Sequence, residues 1–262
     1  MSSILALYDP LYTLTGFVVG LIVGVTGVGG GALMTPALVL LFGVHPATAV
    51  GTDLLYAGLT KAAGTAVHGR NQTVDWRVTG RLAAGSLPAS LATLAVLHAL
   101  GVSGDAAASI ISKALAVALL FTAAAIVIGM RARQRPEERE PTIPRDGRAT
   151  IALGVALGFL VTISSVGAGA VGVTALMILY PRMPIVHIVG SDIAHAVPLT
   201  LVAGLGHVFL GSVDWAMLAS LLLGSIPGIV LASHYAPRVP DRWMRPALAL
   251  ILTVVAVKLL AK

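Results

Sequence analysis

The first long apolar run of the chain, residues 11–43, is broken by a cluster of glycines, Gly24-Val25-Thr26-Gly27-Val28-Gly29-Gly30-Gly31, followed by Ala32-Leu33-Met34-Thr35-Pro36. A related break, Ser164-Ser165-Val166-Gly167-Ala168-Gly169-Ala170-Val171-Gly172, interrupts a second apolar run about 140 residues later. Glycine destabilises a helix interior by roughly 1 kcal/mol relative to alanine. Four glycines within five positions, set among Val, Leu and Ile, therefore predict unwound backbone at membrane depth. Such backbone survives in the hydrocarbon region only where protein or a polar cavity surrounds it. The two breaks are accordingly expected to face each other at the bilayer centre and to form a substrate site.

The remaining composition agrees with a membrane setting. Charged residues make up 11% of the 262 and hydrophobic residues 57%, with mean hydropathy +0.93, whereas soluble domains carry about 25% charge. The expected class is an all-α, multi-pass integral membrane protein of the cell inner membrane, with the lipid bilayer as its surroundings. The net charge of +6 comes from arginines at the ends of apolar segments, a positive-inside pattern and not a nucleic-acid patch. Cysteine is absent, which excludes disulfides, thiolate metal sites and sulfur-relay chemistry. Met1 to Asp9 carry no basic n-region and no small-residue cleavage site, so no removable signal peptide is expected.

Taken in order, the chain reads as a broken segment at 11–43 and crossings at about 48–67, 78–100 and 107–129. A polar linker with six arginines follows, and then a broken segment at 149–180 and crossings at about 187–207, 214–234 and 243–260. A span needs about 20 residues; each arm of the first broken segment has about 14. A shift of 139 superposes Val50-Gly51-Thr52-Asp53 on Val189-Gly190-Ser191-Asp192, His68 on His207, and Val74-Asp75-Trp76 on Val213-Asp214-Trp215. The same shift aligns Gly85-Ser86-Leu87-Pro88 with Gly224-Ser225-Ile226-Pro227. The chain is thus divided into a first membrane repeat, 1–130, an Arg-rich cytoplasmic linker, 131–148, and a second repeat, 149–262. Duplication of this kind is common in secondary transporters, which bind substrate near the midplane between the repeats.

Charge selects the topology. If each broken segment is a re-entrant hairpin, each half makes three crossings, the second half is inverted, and all thirteen arginines lie on the cytoplasmic side. Both termini are then outside, with Lys258 and Lys262 as mild exceptions. If each broken segment crosses once, Arg182, Arg238, Arg242 and Arg245 move outside, so the hairpin reading is preferred.

The Gly-rich break with Pro36, then Ala49-Val50-Gly51-Thr52-Asp53-Leu54-Leu55, Thr60-Lys61, Gly64, His68 and Val74-Asp75-Trp76, resembles the sulfite exporter TauE/SafE family. Gly190-Ser191-Asp192-Ile193-Ala194-His195-Ala196-Val197-Pro198 and Gly204 to Trp215 carry the resemblance through the second half. The resemblance spans nearly the whole chain except the linker. It implies a secondary transporter of sulfite, organosulfonates or related sulfur-containing anions. The thiosulfate-importing relatives that use cysteines are disfavoured, since this chain has none.

A half-helix that ends inside the membrane presents unpaired N–H groups and the positive end of its dipole, a site for a small oxyanion. Backbone at Gly27, Gly29, Gly30, Gly167 and Gly169, with hydroxyls of Thr26, Ser164 and Ser165, is expected to bind the anion. Thr52 and Ser191 are candidate helpers. The competing reading is close helix packing through small residues. Gly167 to Gly172 also fits G-x-G-x-x-G with Asp192 at the distance of a ribose-binding acid, but that fingerprint needs a strand before it and a helix after it in an aqueous α/β unit. The flanks here are membrane-length apolar runs, so a dinucleotide site is set aside.

Ionisable groups inside membrane segments mark pathways or relays. Lys61 lies eight residues after Asp53, two helical turns along one face, and His195 lies three after Asp192. Lys61 is expected to neutralise the anion or pair with Asp53, and His195 to carry a coupling proton, since imidazole titrates near neutrality. For Asp53 and Asp192 two readings stand: proton coupling, or bracing of helix ends at the hairpin tips. Asp75 and Asp214 read as N-caps, Trp76 and Trp215 as interface residues, and His68 and His207 as structural.

No catalytic residue, cofactor or metal is expected, because no H-E-x-x-H motif, paired His/carboxylate spacing or nucleotide loop is present. The function read from the sequence is secondary active transport of a small sulfur-containing anion, driven by a proton gradient. The alternative is an uncoupled anion channel or uniporter; an enzyme embedded in the membrane is a distant third. The sequence leaves the oligomeric state open, a homodimer among the options.

Overall fold

A computed structural model describes residues 9–26, 31–70, 72–101, 105–133, 147–235 and 241–261. Among these, every regular element is helical. The first half contributes α1 (Pro10–Thr26), α2 (Gly31–Leu41), α3 (Pro46–Arg70), α4 (Trp76–Leu100) and α5 (Asp105–Arg133). The second contributes α6 (Gly147–Ser164), α7 (Ala170–Leu179), α8 (Ile185–Phe209), α9 (Trp215–Tyr235) and α10 (Asp241–Leu260). Both broken segments are therefore pairs of helices, as the glycine clusters predict. Residues 134–146, most of the expected linker, lie outside the described residues.

Trp76–Leu100, Ala108–Met130, Gly147–Ser164 and Ile185–Phe209 are each long and apolar enough to cross a membrane. The half-helices α2 and α7 have 11 and 10 residues. At 1.5 Å per residue each spans about 15 Å, half of a hydrocarbon core of about 30 Å. Large apolar side chains such as Phe121, Phe159, Leu223, Val230 and Phe209 are exposed on the outside of the bundle, where lipid receives them.

Packing interlocks the two halves. Helix α1 lies along α9, α6 along α4, α3 along α8 and α5 along α10, so the first arm of each broken segment is held by a helix of the opposite half. Small residues make these approaches possible, as is general where no aqueous driving force pushes helices together. On α1, Gly16 and Gly20 meet the backbone of Leu221 and Ser225; a Cβ on Gly20 would stand 2.7 Å from the Ser225 carbonyl oxygen. On α6, Gly154 and Gly158 meet Leu82 and Ser86 in the same manner. Leu82 and Leu221, like Ser86 and Ser225, are 139 residues apart.

Helix caps cross between the halves with the same pairing. Asp75 caps α4, its Oδ1 accepting from the backbone N–H of Arg77 (2.9 Å) and Val78 (3.1 Å). Asp214 caps α9, accepting from Met217 N–H at 2.9 Å. The backbone N–H of Asp75 donates to Ser191 Oγ at 2.9 Å, and that of Asp214 donates to Thr52 Oγ1 at 3.0 Å. Each half thus supplies the hydroxyl that secures a cap in the other.

Gly154→Val and Gly16→Val drive branched side chains into backbone carbonyls, and both are expected to abolish the monodisperse peak in detergent size-exclusion chromatography. Gly80→Ala, where nothing lies within 4 Å of a new Cβ, is expected to keep it. Ser191→Ala and Thr52→Val each remove the acceptor of a cap amide and are expected to cost about 1 kcal/mol, measured as a lower thermal midpoint in detergent.

Candidate substrate site at the helix breaks

The second break is built from residues whose backbone cannot continue a helix. Ser165 takes φ +58°, and Gly167 and Gly169 take φ +126° and +130°, the latter two in a region that a Cβ strongly disfavours. Ser164 Oγ donates to Leu160 O at 2.6 Å and accepts from Val166 N–H at 3.2 Å. Ser165 N–H donates to Val161 O at 2.7 Å, closing α6. The first turn of α7 forms through Gly172 N–H to Gly167 O (3.2 Å) and Val173 N–H to Gly169 O (2.8 Å).

The two breaks touch. Gly31, the first residue of α2, lies so close to the Ser165 carbonyl oxygen that a Cβ would have no room. Ser164 and Ser165 are buried at this contact. Of the expected anion-binding residues in the first break, the Thr26 side chain and Gly27, Gly29 and Gly30 lie outside the described residues.

Four ionisable residues converge here. Lys61 on α3 donates from Nζ to Ala168 O at 3.0 Å, inside the second break. It lies within electrostatic reach of Asp53, Asp192 and His195. Asp192 on α8 reaches the start of α7, where the Gly169 amide approaches it and Gly172 leaves room for its Oδ1. Asp53 on α3 accepts from Thr35 Oγ1 of α2 at 2.5 Å. Asp192 therefore sits against the N-terminal turn of α7 and Asp53 against α2 one turn in, both toward the half-helix ends where the dipole favours negative charge. His195 Nε2 and Ser86 Oγ are 2.8 Å apart.

Four buried polar atoms in this cluster have no hydrogen-bond partner among the described residues: Asp53 Oδ1, Ser165 Oγ, Asp192 Oδ1 and His195 Nδ1. Asp53 and Ser165 face each other without closing a hydrogen bond. Buried polar groups are paired in the great majority of native positions, so four unpartnered ones on residues around the breaks stand out.

Several contributors escape a reading of composition and motif. Thr35 and Ser86 hold the ionisable groups, and Tyr56 faces Ser225 across the other half of the bundle. The shift of 139 carries Ser86 to Ser225 and Tyr56 to His195, so these residues are the repeat-related counterparts of the His195 pair. The same shift carries Lys61 to Thr200, whose hydroxyl merely donates back to Ala196 O at 2.8 Å.

Other expected residues stand elsewhere. Thr52 and Ser191 precede the two aspartates and accept the cap amides described above, so each braces the turn that carries its aspartate. His207 is saturated, with Nδ1 2.9 Å from Ser212 Oγ and Nε2 3.1 Å from Thr162 O, a structural role as anticipated; the His68 side chain lies outside the described residues. Among the described residues no group of three His, Cys, Asp or Glu is arranged to hold a metal ion.

With this geometry in hand, comparison with known proteins is informative. The chain is 39% identical over 250 residues to a protein of Bacillus subtilis (strain 168) named probable membrane transporter protein YjnA, covering 94% of this chain and 98% of the relative. It is 25% identical over 251 residues to the probable membrane transporter protein YdhB of the same organism, covering 95% and 99%. A probable membrane transporter protein of Xylella fastidiosa (strain 9a5c) is 26% identical over 230 residues, covering 86% and 83%. No solved structure matches. The sulfite exporter TauE/SafE family profile matches residues 12–259, which takes in both breaks and all the ionisable residues between them, and the chain belongs to that family of membrane transporters.

Proposed function

We propose that the chain is a proton-coupled secondary active transporter of a small sulfur-containing anion, sulfite or an organosulfonate, which it binds where the two breaks meet. The observation that carries this reading is the Lys61 ammonium held on the Ala168 carbonyl within the break, beside the four unpartnered polar atoms. An oxyanion there accepts from Lys61, from the Ser165 hydroxyl and from the amides of Gly27, Gly29, Gly30, Gly167 and Gly169. The Thr26 hydroxyl adds a further donor, Ser164 supports its turn, and Thr52 and Ser191 hold the aspartate-bearing helices in register.

Coupling follows from charge. Asp53 and Asp192 occupy the helix starts that the anion needs, and their two negative charges face one lysine. A proton on either carboxyl balances the site and frees N–H groups for the anion, so proton and anion bind together and move in the same direction. His195, one turn from Asp192 and paired with Ser86, passes the proton. A channel needs no such exchange. The same reading makes the broken segments re-entrant hairpins in inverted halves, residues 1–130 and 149–262, joined through 131–148 with all arginines on one face. Half-span lengths of α2 and α7 support it, whereas the 18 residues of α6 are enough for a full crossing.

In proteoliposomes, sulfite uptake is expected to saturate, to accumulate uphill and to follow an imposed pH gradient. Lys61→Ala is expected to lower the flux by roughly ten-fold or more, as loss of one member of a buried charge cluster does. Asp192→Asn and His195→Gln are expected to keep sulfite counterflow while losing the response to the gradient. Saturable uptake that ignores pH in the wild type would remove the coupling, and no flux of sulfite, thiosulfate, sulfoacetate or sulfate would remove the substrate class.

A further inference from the structure

Away from the breaks, the start of α4, the end of α7 and the start of α8 enclose a cleft of about 520 Å3. Among the described residues, Arg77, Arg81, Arg182 and His187 line it, with Asp75 as the acidic group and Tyr180 among the remaining walls. Asp75 is occupied, since its Oδ1 accepts the Arg77 and Val78 amides. No hydrogen bond or ion pair engages the three guanidinium groups among the described residues, and His187 Nδ1 is buried without a partner there. The cleft therefore presents several donors and little to satisfy them.

The repeat supplies an internal comparison. A shift of 139 turns Arg77, Arg81 and Arg182 into Ala216, Ser220 and Gly43, while Asp75 and Trp76 are kept as Asp214 and Trp215. Ser220 is used structurally, its Oγ accepting from Asp9 N–H at 3.1 Å. The fold thus demands the cap and the interfacial tryptophan at both positions and demands arginine at neither. Retention of positive charge on the cytoplasmic side requires only a count of basic residues on one face; it does not require three of them to converge on one cleft.

The cleft adjoins the anion site. Its floor is the Asp75 turn, whose amide is held by Ser191, the neighbour of Asp192. Its wall at Leu179 and Tyr180 is the far end of α7, whose near end is the break, about 15 Å away. A cleft lined by one sign of charge focuses field and raises the local concentration and on-rate of an opposite charge by roughly 10–1000-fold.

We propose that this cleft is a capture vestibule for small soluble oxyanions, present on one face of the transporter only. The inference rests on the anion-transport reading, and it gives the protein an attractive approach on the arginine side that Ala216, Ser220 and Gly43 do not supply at the repeat-related place.

Trp76 and Trp215 are the reporters, being repeat-related and similarly exposed, at 63% and 58%. Single-tryptophan proteins that retain one or the other, with Trp243 replaced by Phe, are placed in phosphatidylcholine nanodiscs, where both faces meet the buffer, and quenched with iodide. At low ionic strength iodide is expected to quench Trp76 roughly two-fold more than Trp215, with the excess fading as salt screens the cleft. Sulfite at constant ionic strength is expected to reduce the excess. The triple change Arg77→Gln, Arg81→Gln, Arg182→Gln is expected to abolish it, and the matching triple change to Lys to retain it. Should the triple Gln protein fail to insert, Arg182→Gln alone, on the α7–α8 turn, is expected to remove part of the excess.

Equal quenching of the two tryptophans, or an excess that survives the Gln changes, overturns the vestibule. So does an excess that phosphatidylglycerol in the nanodisc abolishes, because a lipid headgroup then fills the cleft. Quenching needs no transport, so the two readings fail separately. Equal quenching in a protein that carries sulfite flux sinks the vestibule alone, and an intact excess without flux of any tested anion sinks the transport reading while the anion cleft stands.

Discussion

Peptide groups released from a helix inside an apolar bundle must find partners, because hydrocarbon offers none. This requirement organises the centre of the molecule. At the second break the Ser164 hydroxyl accepts the Val166 amide, Lys61 donates to the Ala168 carbonyl and Asp192 meets the Gly169 amide. Each partner comes at a further cost, since a buried carboxylate is itself unstable without compensation. Lys61 is placed to compensate both aspartates at once. Contact between Gly31 and Ser165 then lets the two breaks share these partners, and glycine crossings between α1 and α9 and between α6 and α4 hold the breaks in that contact.

The duplicated architecture separates what the fold needs from what one half adds. Several features preserved under the shift of 139 are structural in their contacts: Thr52 and Ser191 secure caps, Asp75 and Asp214 form them, and Ser86 and Ser225 receive the close-packed helices, while the matched Asp53 and Asp192 stand at the breaks. Departures concentrate chemistry. Lys61 replaces the equivalent of a self-bonded threonine, His195 replaces the equivalent of a tyrosine, and three arginines stand opposite Ala216, Ser220 and Gly43. On the proposed readings, these departures supply the cation at the centre and the basic mouth on one side.

Much of this was legible from sequence, for identifiable reasons. Apolar length and clustered glycine are local signals, so the segment order, the two broken helices and the Asp75 and Asp214 caps could be read from neighbouring residues alone. Lys61, Asp53, Asp192 and His195 stood out because ionisable groups are rare in apolar runs. The uses of Thr52 and Ser191 were not legible: each hydroxyl meets an amide in the other half, 162 and 116 residues away, and a lone hydroxyl beside an aspartate reads equally well as a ligand for an anion. Tyr56 was missed because an aromatic residue among Leu and Ala looks like core, and only its register with His195 marks it out.

Under the proposed mechanism, the two roles that the sequence offered for the aspartates become one. A carboxylate on the first turn of a half-helix braces that turn while it is charged and relaxes its hold when a proton neutralises it, because the dipole and the amides favour only the anionic form. Bracing and coupling are then the same interaction in two protonation states. The half-helix start cannot be held by Asp192 and by a substrate oxyanion at full strength together, since both claim the Gly169 amide. In that mechanism Lys61 sets the balance: with one cation within reach of two carboxylates, the centre would accept an incoming negative charge only after taking up a positive one. On the proposed reading, the backbone problem created by the glycine breaks, once solved with carboxylates, would tie the entry of an anion to the entry of a proton.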